Sequence, residues 1–427
     1  MLDVIGVGVG PFNLSLASLL KHQSCQLSAA FFEQKPQFSW HEGMLMPDAT
    51  LQVPFLADLV TMVDPMSPFS FLNYLKDKQR LFQFYFRESF FLPRLEYNDY
   101  CRWVCVQLDT LHFGHTVTEI EAIKGGFEVV VQHQGKSKNY QCKNLVLGVG
   151  SVPSMPSCAD KIRQDHPNRC FHSAEFMQHF EQLSQNKDSK IVLIGSGQSA
   201  GEIFYKLLSG HHFDRIDWVT RADGFFPMEY TPFGLEHFSP DYMDCFYGLD
   251  CEKKRQILNN QGLLYKGINA HLLKQIYDVL YQKISVAGQT NIHLRPNLAL
   301  TDLKSQANQQ LSCHFLHNHT QQPSILDADY VILATGYHAK PASFLSKLQP
   351  HIQKLSCGQC DISRDYELKY QHPTGDGHIF AQNMELFSHG VGTPDLGLGA
   401  YRAATIINRI AKQNIYQLSQ ANTFQTF

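Results

Sequence analysis

An α/β chain with two Rossmann-like dinucleotide-binding domains and a small, mainly helical lobe is what the sequence predicts, on three observations. The apolar residues 2–5 run straight into Gly6, Gly8, Gly10 and Pro11. A second apolar run, 190–194, leads into Gly195-Ser-Gly197-Gln198-Ser199-Ala200. Two more runs, 145–150 and 331–337, are continuously apolar and end at glycine, as in parallel sheets covered on both faces.

A glycine cluster alone is weak evidence of nucleotide binding, because glycines also close ordinary turns. It gains meaning when a strand precedes it, a helix follows, and a suitable residue ends the next strand. In the first copy, 13–20 reads as a helix and 29–32 as a strand. Glu33 closes that strand about 20 residues past the glycines, where a carboxylate accepts from ribose hydroxyls. Pro11 replaces the third glycine, and proline suits a first helical turn whose N–H has no partner in any case. The free N–H groups of that turn would face a pyrophosphate. In the second copy, 199–208 reads as a helix and 216–219 as a strand, and Arg221 follows the strand tip with no acid there. A guanidinium pairs with a 2′-phosphate, so NADPH is favoured over NADH at this copy. Two such sites in one chain imply electron transfer between two cofactors.

The runs 145–150 and 331–337 also read as the points where the chain leaves one nucleotide domain for the next. On that reading, 1–165 with 338–427 forms the first domain and 166–230 with 275–337 the second. Residues 231–274, punctuated by proline, glycine and aromatics, form the small substrate lobe. At 427 residues the chain is long enough for two or three domains, and 44% hydrophobic residues suffice for their cores. A net charge of −3 offers no basic field for nucleic acid or lipid, so the expected partners are small molecules. No apolar run reaches the ~18 residues of a membrane span. The 11 cysteines show no disulfide framework and fit a reducing compartment, so a cytoplasmic location is expected. Cys357 and Cys360 form a Cys-x-x-Cys in a polar segment where neither a redox dithiol nor a zinc site is expected; no metal is predicted. The aromatic stretch 81–92 reads as core.

Several segments share one resemblance: Gly6-Val-Gly-Val-Gly-Pro-Phe-Asn-Leu14, Phe38-Ser-Trp-His-Glu-Gly-Met44, Leu51-Gln52, Phe55-Leu-Ala-Asp-Leu59, Ser67-Pro-Phe-Ser-Phe-Leu-Asn-Tyr74, Gly195-Ser-Gly-Gln-Ser-Ala200, Ala334-Thr-Gly-Tyr337 and His389-Gly390. In this order they resemble the flavin-dependent N-hydroxylating monooxygenases of siderophore biosynthesis, from the first residues to about residue 410. The resemblance implies FAD at the first site, NADPH at the second, and oxygen insertion on a primary amine through a flavin C4a-hydroperoxide. It implies that Trp40, His41 and Gln52 line the flavin, Gln52 being the catalytic candidate, and that Gln198, Ser199, Arg221 and Tyr265 hold NADP. The cofactor supplies the hard chemistry and the protein excludes water.

The sequence departs from the ornithine and lysine hydroxylases of that family where they hold an amino acid head. Ala57 stands at the position of their lysine, and Leu235 and Leu264 stand at those of two asparagines of the ornithine enzymes. A buried carboxylate without a cationic partner costs several kcal/mol, so a decarboxylated amine is expected. An aliphatic diamine such as putrescine or cadaverine needs a carboxylate for its second ammonium. Asp395 is the leading candidate, with Glu229 and Glu236 in reserve; Asp395 also reads as a helix N-cap. Histamine, lysine and ornithine are alternative substrates. A carbon- or sulfur-oxidising monooxygenase and a non-catalytic NADPH-binding redox sensor are the alternative classes. Amine and O₂ are the expected partners, and the assembly a homo-oligomer, dimer or tetramer.

Overall fold

The computed structural model describes residues 1–22, 26–210, 212–307, 310–339, 342–371 and 377–427. Strand Leu2–Val7 lies between Ala29–Glu33 and Lys136–Leu147, parallel to both, at the centre of an eight-stranded sheet. Val4 and Ile5 are fully buried, as expected of a strand covered on both faces. Lys136–Leu147 does double duty: its first half pairs antiparallel with Gly126–His133, and its second half pairs with Leu2–Val7 and His378–Ala381. The C-terminal segment thus completes the first sheet, and helix Gly399–Ala411 packs on helix Pro11–His22.

The second sheet has five parallel strands in the order Cys170–His172, Tyr330–Leu333, Lys190–Ile194, Arg215–Val219, Ile292–Arg295. Its central strand leads into the second glycine cluster. The two connections between the sheets pair with each other, Tyr337 opposite Pro153 and His338 opposite Val152. A buried ion pair joins the units more firmly. Arg94 donates through Nη1 and Nη2 to both carboxylate oxygens of Glu202, at 2.9 and 2.8 Å, and through Nη1 to the Met44 carbonyl.

The small lobe is helical: Pro232–Leu235, Pro240–Tyr247, Cys251–Asn260 and the turn Gly262–Leu264. Ser239 and Asp250 cap the second and third helices by accepting from Tyr242 and Lys253 N–H groups. The lobe packs on Leu386–His389 through Phe246 and Val391, with Phe238, Leu264 and Tyr265 around them.

Two expectations from the sequence do not hold. Cys357 is bonded to Cys251 of the lobe, tying that lobe to the first unit across 106 residues, so the cysteines are not all free. The aromatic stretch is not core. Helix Leu81–Phe86 carries large apolar or aromatic side chains at every position but Gln83, and six residues cannot bury every face. Phe84 turns inward against Phe55 and Phe71, leaving Phe82, Tyr85, Phe86 and, just beyond the helix, Phe90 at 63–76% exposure.

Candidate active site

At the first glycine cluster the chain turns with Gly8 at φ +84°, and a Cβ there would lie 2.5 Å from the Gly148 carbonyl. Only glycine fits such a turn. Gly10, by contrast, has open space around it, and Pro11 starts the following helix. Glu33 reaches back from the end of its strand, accepting from Val9 N–H at 2.8 Å and from Lys35 N–H at 2.9 Å. The sequence reading did not find Asn13. It is fully buried, donates to the Val7 and Gly8 carbonyls, and accepts from Gln382, 369 residues away, at 2.6 Å. Its place in the first turn after the glycines was the available signal. A carboxylate beside a glycine turn with open space at Gly10 suits the adenosine half of FAD.

Trp40 and His41 follow this unit's second strand. Their rings meet edge to face at 4.7 Å, and His41 also faces Tyr337 at 5.8 Å. His41 holds a left-handed backbone, φ 50°. His41 is exposed, yet the protein packed near its ring, then the Arg94 and Lys35 charges, lower its pKa to about 4, so it is neutral near pH 7. Gln52 lies in strand Thr50–Pro54, donating to the Thr50 carbonyl at 3.1 Å, while its buried Oε1 has no hydrogen-bond partner among the described residues. It lines a cleft of ≈ 640 Å³, counted to its open mouth, with Gln198 and Asn269 across from it. Gln52 thus carries a buried acceptor left unsatisfied by the protein, on a residue that borders the cleft.

The second cluster is built alike. Gly195 sits at φ +141°, where a Cβ would lie 2.2 Å from the Ala334 carbonyl, and Gly197 caps helix Gln198–Leu208. Ala200 is buried and Ser199 half-buried in that helix's first turn. Gln198 is held at both ends: it donates to Glu202 at 2.9 Å and accepts from Asn269 N–H at 2.8 Å. The Arg94–Glu202 pair therefore steadies the start of this helix too. Arg221 lies just past strand Arg215–Val219, exposed, with no carboxylate partner among the described residues. Half-buried Tyr265 carries the Lys266 ammonium 5.0 Å from its ring centroid, and the Lys266 carbonyl lies 3.4 Å from a Cβ built on Gly197. These features fit NADPH: an open helix N-terminus, a free cation at the 2′-phosphate position and an aromatic ring close by.

Ala57 and Asp395 both lie close to Gly397. A Cβ built on Gly397 would lie 3.9 Å from the Ala57 methyl and 2.7 Å from Asp395 Oδ1. Asp395 caps the turn Leu396–Leu398, accepting from Gly397 N–H at 2.6 Å, so the N-cap geometry is present. No side-chain cation pairs with it among the described residues. It keeps a small exposed face, and protein on every other side raises its pKa to about 6 against the lowering effect of backbone N–H groups and Arg402. Tyr230 stands near: burial first, then the Asp395 charge, pushes its phenol up. The turn has a buried support that the sequence did not reveal. Arg402 donates to the Thr393 carbonyl at 2.6 Å, lies 2.9 Å from Glu385, and spreads its guanidinium 4.5 Å from the centroid of Phe12 in the first fingerprint helix.

The other candidates lie elsewhere. Leu264 is in the apolar cluster under the lobe, and Leu235 is 41% exposed at the end of its short helix. Glu229 is exposed and accepts from Thr231 N–H at 2.8 Å. Glu236 is occupied by the N–H groups of Phe424 and Gln425. Among the described residues no group of His, Cys, Asp or Glu is placed to hold a metal ion, and no helix is long and apolar enough to cross a membrane.

Two nucleotide units facing one cleft define a two-cofactor oxidoreductase, and comparison with known proteins gives its family. Residues 1–339 match the model of the L-lysine 6-monooxygenase/L-ornithine 5-monooxygenase family, so the chain belongs to it. It is an N-hydroxylating flavin monooxygenase that uses FAD and NADPH. It is 42% identical to the putrescine N-hydroxylase of Shewanella oneidensis, covering all of this chain and 84% of that protein. Among solved structures, FAD-bound DfoA, the cadaverine monooxygenase of the desferrioxamine pathway in Erwinia amylovora, superposes with a TM-score of 0.93 at 37% identity, over 100% of this chain and 98% of that one. The ornithine N-hydroxylase KtzI of Kutzneria sp. 744, solved with reduced FAD, NADP⁺ and L-ornithine, gives 0.90 at 28% identity, over 96% and 99%.

Proposed function

We propose that this enzyme N-hydroxylates an aliphatic diamine of the size of putrescine or cadaverine, working in the cytoplasm and supplying a hydroxylamine for hydroxamate siderophore assembly. One observation carries the reading: the methyl of Ala57 and the carboxylate of Asp395 both lie beside Gly397, and no side-chain cation pairs with Asp395 among the described residues, in the segment where an amino acid substrate would need a cation. An α-carboxylate bound there would be buried beside a like charge, whereas a distal ammonium meets an anion. The first relatives compared, a putrescine N-hydroxylase and a cadaverine monooxygenase, support the same class.

When bound at the first unit, FAD would, with electrons from NADPH at the second unit and with O₂, supply the activated oxygen. The rest falls to the protein's own groups. Glu33 accepts from the ribose of FAD while bracing the glycine turn, and Arg221 pairs with the 2′-phosphate of NADPH. Asp395 holds the far ammonium, which fixes the depth to which the near amine enters. That amine must be neutral to react, although an alkylammonium has a reference pKa near ~10.4, so desolvation at its end of the pocket, away from Asp395, has to disfavour its charged form. The vacant Oε1 of Gln52 accepts an N–H in the cleft and orients it. Half-buried Trp40 helps to close the wall against water, with neutral His41 edge to face beside it.

The test is a panel of putrescine, cadaverine, histamine, ornithine and lysine with FAD and NADPH, read by product mass. A product one oxygen heavier is expected from the diamines. Asp395→Asn should raise the diamine KM about tenfold or more, the size of one lost charge-assisted bond, and leave amine-free NADPH oxidation within about twofold. Faster turnover of lysine or ornithine than of any diamine would sink the proposal.

A further inference from the structure

Cys357 belongs to the Cys-x-x-Cys of the first unit, yet its partner is Cys251 of the lobe and not Cys360. The two Cα atoms lie 6.3 Å apart, a span that a disulfide bridges without moving backbone. Cys251 is the first residue of helix Cys251–Asn260, directly after the cap Asp250, and a helix start favours a thiolate. Cys357 sits in a narrow hairpin: Leu355 N–H donates to the Gln359 carbonyl at 2.8 Å, Gly358 N–H donates to the Leu355 carbonyl at 2.9 Å, and Lys354 bridges to Cys360. Both bonded cysteines are half-buried, and Ser356, Gly358 and Gln359 around Cys357 are exposed, so small solutes reach the bond.

The bond joins parts that carry different halves of the site. Helix Cys251–Asn260 leads through the turn Gly262–Leu264 to Tyr265 and Lys266, whose carbonyl lies 3.4 Å from a Cβ built on Gly197. The Leu263 carbonyl accepts from Glu229 N–H at 3.0 Å, beside Tyr230, whose phenol senses the Asp395 charge. Elsewhere the lobe meets the first unit through the apolar contacts of Phe246 with Val391 and the Arg364–Asp244 ion pair, which can slide and re-form. A covalent bond does neither.

We propose that Cys251 and Cys357 form a peroxide-operated tether that slows turnover when amine is scarce. In a reducing compartment such a bond stays open until an oxidant closes it, and bonds of this kind act as sensors. The enzyme's own reaction supplies the oxidant: without amine, NADPH and a proton reduce O₂ to hydrogen peroxide, leaving NADP⁺. One cysteine thiolate takes an oxygen atom from the peroxide as sulfenic acid, and the other oxygen leaves as water. The second thiolate then attacks the oxidised sulfur and expels its oxygen as a second water. Two thiols and one peroxide give one disulfide and two waters. The closed bond holds the Tyr265 segment against the nucleotide helix and slows nucleotide exchange, and a dithiol reductant reopens it. The inference stands whichever amine is the substrate.

The test uses the FAD-loaded enzyme, reduced with dithiothreitol and then freed of it. Added hydrogen peroxide, or NADPH in air without amine, should join the peptides that carry Cys251 and Cys357, read by mass spectrometry, and catalase should prevent closure by turnover. The oxidised enzyme should consume NADPH several-fold more slowly at saturating amine, keep its flavin, and recover with dithiothreitol. Cys251→Ser and Cys357→Ser should match the reduced wild-type rate and ignore peroxide, while Cys360→Ser should respond as the wild type does. No joined peptide after peroxide, equal rates in the two states, a peroxide response that survives Cys251→Ser, or closure by turnover despite catalase would each overturn the proposal.

Discussion

The two glycine clusters share a strand, a turn and a helix, yet their surroundings differ. The first is fastened from several directions: Asn13 holds two carbonyls of the turn, Gln382 holds Asn13, and Glu33 holds the Val9 N–H. The second leaves its recognition group loose, since Arg221 is exposed without a carboxylate partner among the described residues. Its fixed contacts, Gln198 with Glu202 and Asn269, lie at the start of the helix. A braced turn suits a resident group that must not be lost, and an open cation suits a co-substrate that enters and leaves every cycle. The two sites are not built to equal rigidity, and the difference in bracing predicts a difference in residence.

The contrast is broken most completely at Gly8. Gly8→Val forces a β-branched residue to φ +84° and drives a methyl-bearing carbon into the Gly148 carbonyl. The expected protein purifies without flavin, read as flavin absorbance per chain, with circular dichroism to confirm that it folds. A folded variant with full flavin content would show that the bracing is not needed for retention. A smaller effect is expected at the open site. Arg221→Ala should raise the NADPH KM about tenfold or more, leave the NADH KM nearly unchanged, and spare flavin content, because one charge-assisted contact is lost from a surface that is otherwise intact. Equal losses for both nucleotides would remove Arg221 from the 2′-phosphate.

The smallest effect sharpens the reading of Asp395, where cap and ligand roles coexist. Its folded pKa of about 6 lies above the ordinary carboxyl value of 3.8. Both states are protonated at pH 3, and ionisation is harder in the folded state, so stability declines as pH rises between these two values and stays lower above them. Asn keeps the cap and lacks the charge. Asp395→Asn should therefore melt a few degrees higher than wild type at pH 7.5, with the difference fading towards pH 4. A variant that melts lower at pH 7.5 would make Asp395 a stabilising cap instead of a strained ligand.

Much of the site was legible because it is local. Strand periodicity and glycine spacing placed Glu33 and Arg221 at their strand ends, and the family resemblance, through the lysine missing at position 57, implied a different head group. What escaped was either remote or environmental. Asn13 meets Gln382 only through the C-terminal strand, and Arg94 meets Glu202 across 108 residues. The run at 81–92 has the composition of core but occupies a surface, because composition reports hydrophobicity and not which face remains uncovered. Glu229 and Glu236 were plausible ammonium partners by type and are engaged elsewhere by backbone N–H groups.

By itself, then, the amino-acid order determined the two nucleotide units and the polarity of each recognition residue, since backbone conformation and side-chain period depend on neighbours a few positions away. Only the packed chain decided that Asp395 lies against the Ala57 turn, that Arg402 and Glu385 support it, and that four aromatic rings face outward. Those outcomes depend on which distant surfaces meet and which are left over when the core closes, and close packing resolves that for the whole chain at once.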